Sequence, residues 1–423
     1  MEDGAPDHGV WSEVLVLTVS PGTGWPARAT PCIIPRMRVV FAALAFLLAA
    51  VFPNFSPAAQ KSFEQVTQQA EAARTGNRIQ EAIRLYRAGV RLRPSWSDGW
   101  WWLGSLYYDQ DRFPEAAAAF RRFVAMAPKP GPAFAFLGLC EYETRDYDRA
   151  LEHFRRWSVH GSPGTDELID VAGFHWALLL TREGRFVQAL YLLAAKAQKR
   201  GYSPALAEAM GLASLRLAKL PEEYPPERRE TVWLAGEAAF YASLRPQALE
   251  RSDEYARRLL LHYGQEPNVH FFRGSLLAFQ KKRDEAKEEY EQELRISPRH
   301  VPALVELARL YVEGHEFAEA MSFAQRATQI EPQDPMAHYM LGRALLATGD
   351  LQKSVRELET GKQLAPDSAS IRFHLATAYR KLGRNKEAQR EFAVFASLKS
   401  KQEVLISPQE QEELLEEQPG QPK

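Results

Sequence analysis

Side chains that could carry chemistry are few and scattered in this 423-residue sequence. It contains no GxxxxGK[ST] phosphate loop, no HExxH zinc helix, no GxSxG nucleophile elbow, and no GxGxxG between a strand and a helix. HGSPG, from His160 to Gly164, has the composition of a nucleophile loop, but no strand precedes it and it falls in a turn between helices. His153 and His160 stand seven apart near one helix end, and His270 precedes two phenylalanines. None has an acidic or histidine partner at i+3 or i+4 aimed at the same point, as a metal site on a helix needs. Cys32 and Cys140 have no neighbour at metal-ligand spacing either. The sequence therefore predicts no catalytic residue, no metal and no cofactor.

Composition narrows the partners. Apolar residues make up 45% and charged residues 25%, values of a soluble folded chain. The formal net charge is −1, so the basic excess that nucleic acid or an anionic membrane demands is missing. If Cys32 is removed by processing, Cys140 has no intramolecular partner, and the fold is expected to manage without disulfides.

Residues 1–36 show no helical period and are studded with glycine and proline. A short basic start at Met37-Arg38 follows, then an apolar run from Val39 to Phe52, then small residues at Ser56–Ala59. That order is a signal peptide over 37–59, read from Met37, with residues 1–36 a doubtful extension from a misassigned start. The run falls short of the roughly 20 residues a spanning helix needs. Cleavage and export to the periplasm or cell envelope is the expectation. Retention as an inner-membrane anchor is the alternative, and membrane association follows only in that case.

The elements that must position any site announce themselves in WWWLGSLYY, Trp100 to Tyr108. A helix turns about 100° per residue, so three consecutive indoles cannot share one face. Small residues recur at Gly104, Gly138, Ala177 and Gly211, then at Gly274, Ala308, Gly342 and Ala376, the last four spaced by 34. A second small series follows twelve positions behind, at Ala82, Ala116, Ala150 and Ala189, then Ala286, Ala320, Ser354 and Ala388. Prolines at 94, 128, 298, 332 and 366 close the units, because a proline pushes the residue before it out of the helix. A small residue on each helix of a pair lets the two approach closely.

Trp100, Leu103, Gly104, Tyr107, Ala116, Phe120 and Pro128 resemble the tetratricopeptide repeat signature, W-x₂-L-G-x₂-Y followed by A-x₃-F and P. The resemblance covers roughly 63–402, in units at 63–96, 97–130, 131–164, 170–203, 267–300, 301–334, 335–368 and 369–402. It implies an all-α fold: a right-handed superhelical solenoid of antiparallel helix pairs. The first array spans 60–203. Section 204–266 is degenerate or inserted, broken by Pro221, Pro225 and Pro226, with helices expected near Thr231–Leu244 and Gln247–Tyr263. The second array spans 267–402. Residues 403–423 form a polar acidic tail, with a short frayed helix as the alternative.

In this family the first helices of successive units line a concave groove. The positions so implied are Trp101, Trp102, Ser105, Tyr108, Phe136, Leu139, Tyr142, Phe174 and His175, then Phe271, Phe272, Phe279, Arg309, Tyr339, Arg343, Phe373, Thr377 and Arg380. Trp101, Tyr108, Phe136, Tyr142, Phe174, Phe271, Tyr339, Arg309, Arg343 and Arg380 are the candidate partner-binding residues. Each aromatic ring could equally pack into the core. The three arginines could meet an acidic ligand, or be solvated or paired with Glu306 and Glu313. Trp100 is assigned to the seam within its repeat, Trp101 to the groove, and Trp102 stays unplaced. The family's Lys/Asn carboxylate clamp is missing, since Thr67, Glu71, Trp102 and Ala135 stand at its positions.

The resemblance thus implies a non-catalytic scaffold that binds a protein partner, peptide or helix, through an aromatic concave groove outside the cytoplasm. The alternative is an accessory subunit in bacterial envelope polysaccharide assembly or export, where sugar rings would stack on the aromatic faces. Partner identity and oligomeric state are open.

Overall fold

The computed structural model describes residues 57–403 apart from 161–163 and 245–247, with side chains described over 62–399 apart from those stretches and His160. The extension 1–36, nearly all of the expected signal peptide, the centre of HGSPG and the tail beyond Glu403 lie outside the described residues. Every long element among the described residues is an α-helix, and none is long and apolar enough to cross a membrane. The chain divides between Trp176 and Ala177 into two compact units.

The N-terminal unit holds α1 (Pro57–Thr75), α2 (Ile79–Leu92), α3 (Ser97–Tyr108), α4 (Phe113–Met126), α5 (Ala133–Glu143) and α6 (Tyr147–His160). It also holds the first part of α7 (Asp166–Arg182). The helices pack in sequence as pairs, α1 on α2, α3 on α4 and α5 on α6, with α2 against α3 and α4 against α5 linking them.

The C-terminal unit takes the end of α7 and then α8 (Phe186–Arg200), α9 (Pro204–Ser214), α10 (Arg229–Ser243) and α11 (Leu249–Tyr263). It continues with α12 (Val269–Phe279), α13 (Arg283–Ile296), α14 (Val301–Glu313), α15 (Phe317–Ile330), α16 (Pro335–Thr348), α17 (Leu351–Leu364), α18 (Ala369–Lys381) and α19 (Asn385–Glu403). From α12 onward these pack as successive pairs. In the irregular section α10 packs on both α9 and α11, so α11 is an odd helix between pairs.

The small-residue series explains each pair. An added Cβ on Gly104 would stand 2.8 Å from the Phe120 ring, and one on Gly138 2.6 Å from Phe154. In the C-terminal unit the same crossing sets Gly274 against Tyr290 at 2.7 Å and Gly342 against Leu358 at 2.6 Å. The second small series is shut inside: Ala116, Ala150, Ala286, Ala320 and Ser354 are all 0% exposed. Ser354 has a hydroxyl to satisfy there, and it donates to the Gly342 carbonyl at 2.7 Å.

Helix ends follow the prolines. The residue before each one leaves helical geometry, with ψ at 87° for Arg93, 126° for Ala127, 79° for Ser297, 84° for Glu331 and 78° for Ala365. Side chains cap the starts: Ser203 on α9, His300 on α14, Asp334 on α16, Asp350 on α17 and Ser368 on α18.

Candidate aromatic binding strip

The three tryptophans of α3 part company. The Trp101 ring lies 5.6 Å from Phe120, 5.3 Å from Phe123 and 5.7 Å from Phe136, so it leans on α4 and reaches α5. Trp102 turns toward α1, where the Arg74 guanidinium sits 3.8 Å over its ring. Trp100 is partly exposed, and its indole N–H donates to the Pro94 carbonyl at 2.8 Å in the loop between repeats. An indole needs a partner for its N–H, and that loop carbonyl supplies one.

Trp96, one residue before α3, fills the junction between repeats. It meets Phe63 edge-on at 5.3 Å and stacks on Tyr86 at 5.6 Å. Gly89 and Gly99 make room, since a Cβ there would stand 2.6 Å and 2.2 Å from the indole.

On α3, Trp101, Ser105 and Tyr108 fall at i, i+4 and i+7 and share one face. Ser105 donates to the Trp101 carbonyl at 3.1 Å, so its hydroxyl is already committed. Tyr108 lies 5.1 Å from Phe136 and 5.7 Å from Phe113, and Phe136 stacks on Phe120 at 5.1 Å. Trp101, Tyr108 and Phe136 are each partly exposed, neither sealed in the core nor standing alone in water. Tyr142 continues the row, 5.5 Å from Tyr147 and 4.7 Å from His175, with Phe174 beside that histidine at 5.7 Å. Leu139, also expected on this face, is buried.

The charge near the strip is negative. Burial, with the Cys140 thiol, Glu143, Asp109 and Asp111 nearby, pushes the Tyr108 hydroxyl up to about 12, so it stays protonated and able to donate. Burial likewise raises the Asp109 carboxyl. Beneath lies Glu141 at 0% exposure, held by His153 Nδ1 at 2.5 Å and Arg121 at 2.9 Å. This cluster ties α4, α5 and α6 together, and explains His153 as a structural residue. Cys140 is a buried free thiol, pushed up to about 12 chiefly by burial.

The C-terminal unit treats its candidates differently. Tyr339 is 3% exposed, and this corrects its assignment to a groove. Its hydroxyl lies 3.2 Å from His374 Nδ1 and the Arg343 guanidinium 5.5 Å over its ring, so the next repeat and its own helix cover it. Phe272 is buried as well. Arg309 meets Glu306 at 2.8 Å and Glu313 at 2.5 Å, so the paired reading describes it. Burial works against its charge, but the two carboxylates outweigh that and hold its pKa above the ordinary value. Arg380 is exposed, 5.5 Å from the Phe392 ring. Phe271 is partly exposed and stands 4.9 Å from the His300 ring. Trp96 and Arg216 were not singled out by sequence, because each lies outside the first-helix positions that the repeat register marks. Among the described residues no group of three or more His, Cys, Asp or Glu side chains could hold a metal ion.

Paired helices, small residues where they cross and a proline after five of the second helices define a helical-repeat interaction protein. Models of the tetratricopeptide repeat match at 67–131 and 106–163, and again at 280–343 and 313–368. The chain is a tetratricopeptide repeat protein, an all-α array of the kind that serves as a protein-interaction scaffold. Over 123 residues it is 23% identical to anaphase-promoting complex subunit 3 of Schizosaccharomyces pombe, covering 29% of this chain and 18% of that protein. The chain thus spans under a fifth of the length of that curated relative. Similar solved structures include MamA from Desulfovibrio magneticus RS-1, at 19% identity and a TM-score of 0.37 over 41% of this chain and 97% of that one. YrrB, described as a TPR protein with an unusual peptide-binding site, is 16% identical with a TM-score of 0.35 over 43% of this chain and 91% of that one.

Proposed function

We propose that this protein is a non-catalytic scaffold that holds a protein partner on the aromatic strip of its N-terminal unit, outside the cytoplasm. The observation that carries the reading is the Trp101, Tyr108 and Phe136 cluster, whose rings are in contact yet partly open. A preassembled set of rings loses little side-chain entropy on binding, and aromatic residues dominate binding energy at such surfaces. An extended peptide or the apolar face of an amphipathic helix fits a row of this kind.

Export rests on the Met37 signal-peptide reading. Fractionation with N-terminal sequencing tests it: a mature chain starting near residue 60 in the envelope fraction supports export, and a cytoplasmic chain retaining residues 1–36 defeats it.

The strip itself is tested by cross-linking and pull-down from the native envelope. Replacing Trp101, Tyr108 and Phe136 together with alanine should weaken the captured partner by about 100-fold or more, with helix content by circular dichroism matched to the parent. Partner capture unchanged by the triple replacement removes the strip from the mechanism. Tryptophan fluorescence that responds to envelope glycans, with no protein captured, would favour the polysaccharide-assembly role instead.

A further inference from the structure

The Arg216 guanidinium is a cation with no anion in contact. Arg216 sits in the turn after α9, at φ 52°, and its guanidinium lies 4.7 Å from the Phe186 ring and 5.5 Å from the Phe271 ring. Among the described residues no carboxylate stands within ion-pair distance of it, and no acceptor takes a hydrogen bond from it. Burial works against its charge, while Asp334, Glu331 and Glu306 support it only from a distance. Glu306 is committed to Arg309 at 2.8 Å, and Asp334 caps α16 by accepting from the Ala337 N–H at 2.7 Å. A guanidinium does not deprotonate, so its five N–H donors stay unmet on a partly buried cation.

Phe271 connects this cation to a reporter. Its ring lies 4.9 Å from His300, whose Nδ1 accepts the Ala303 N–H at 3.1 Å while Nε2 donates to Asn268 Oδ1 at 2.8 Å. Burial first, and the Arg216 charge second, hold the His300 pKa down to about 4. The imidazole is therefore neutral near pH 7 and senses what happens at Arg216.

We propose that Arg216, flanked by Phe186 and Phe271 and bordered by His300, is a binding site for a carboxylate carried by a peptide. A planar two-oxygen anion matches the guanidinium fork, and the two rings cover the apolar carbon behind it. The distant carboxylates of Asp334, Glu331 and Glu306 decide the charge of the guest: they tolerate a single negative charge better than the double charge of a phosphate. The site lies in the C-terminal unit and does not rest on the aromatic strip of the other unit.

The test is an NMR titration of the His300 Cε1–H resonance at pH 7, assigned with His300→Ser. The probes are N-acetylglycine, N-acetylglutamate α-amide, inorganic phosphate and chloride at matched ionic strength. A saturable shift with either carboxylate, at least about tenfold tighter than with phosphate, supports the site. The tighter carboxylate tells whether a chain terminus or an acidic side chain is preferred. Arg216→Gln should weaken binding by about tenfold or more and Arg216→Lys by less, both at parental helix content. No saturable shift with either carboxylate, equal binding of phosphate, or unchanged binding in Arg216→Gln overturns the assignment. The Trp101, Tyr108 and Phe136 replacements leave this titration untouched, so the two sites can fail separately.

Discussion

His270 Nδ1 lies 2.5 Å from Glu289 Oε2, nineteen positions away, and the relationship recurs down the C-terminal unit. His338 meets Glu357 at 2.7 Å and Arg372 meets Glu391 at 2.7 Å, each again nineteen positions apart. These basic residues stand where the repeat signature has its tryptophan, Trp100 in the best-matched unit. In the unit between the two histidine pairs, Leu304 and Phe323 occupy the same two places and share one hydrophobic cluster. One site on the crossing thus accepts either an ion-paired or an apolar couple, provided both members change together.

A mutant cycle at His338 and Glu357 measures that coupling. Glu357→Ala should cost about 1–2 kcal/mol, because it strands the ring nitrogen that faced the carboxylate. His338→Leu alone strands the carboxylate and should cost a similar amount. The double replacement His338→Leu with Glu357→Phe, which copies Leu304 and Phe323, should return to within about 1 kcal/mol of the parent. Urea midpoints of the four proteins are the readout, and additive losses would refute the coupling.

Two glycines hold the irregular section together. An added Cβ on Gly211 would stand 2.0 Å from the Val232 carbonyl oxygen, and one on Gly236 1.9 Å from that of Ala207. Backbone atoms cannot rotate aside, so Gly236→Ala must push α9 and α10 apart, at a cost of about 3 kcal/mol or more. Gly173 in α7 has nothing within 4 Å of a built Cβ. Gly173→Ala should therefore stabilise by about 0.5–1 kcal/mol through helix propensity alone. Opposite shifts in thermal midpoint for one substitution type are the signature to seek.

Much of this architecture was legible because its cause is a residue type at a fixed place. Small residues sit where helices cross, and prolines follow the second helices, so both series survive in the sequence. The turns within the pairs are written differently. Asn77, Asp111, Arg145, Gly184, Lys281, His315, Gly349 and Gly383 all adopt positive φ, spaced by 34 except between Arg145 and Gly184 and across the irregular section. Five of the eight are not glycine, so the backbone repeats where the letters do not. The strip was legible in the same partial way. Register put Trp101, Tyr108 and Phe136 on one face, but the hydrogen bond that ties Trp100 to Pro94 is one that no spacing rule contains. Tyr339 was misplaced for a related reason, since its cover comes from Arg343 and His374.

Those turns carry a further expectation. Lys281 is exposed at φ 63°, a conformation that crowds an L side chain against its own backbone. Lys281→Gly should relieve that crowding and stabilise the chain by about 0.5–1 kcal/mol, after allowance for the greater freedom of glycine in the unfolded state. Arg145, exposed at φ 61°, should respond alike in the N-terminal unit. Calorimetric midpoints that fall in both variants would show that these side chains contribute more than their backbone strain costs.

Acid should loosen the C-terminal unit through His300. Its ring caps α14 through an unprotonated Nδ1 and binds Asn268 through Nε2, so the folded chain holds it neutral. Burial and the nearby Arg216 charge lower its pKa from 6.5 in the unfolded chain to about 4 in the folded one. Between those values the unfolded chain carries the proton and the folded chain does not. Stability due to this residue is complete above pH 6.5, declines as pH falls through the interval, and is gone below about 4. The full span amounts to about 3 kcal/mol at most. His300→Ser keeps a side-chain oxygen for the cap and removes the titration. The difference in urea midpoint between parent and His300→Ser should therefore shrink steadily from pH 7 to pH 4. A difference independent of pH would mean that the folded ring accepts its proton as readily as the unfolded one.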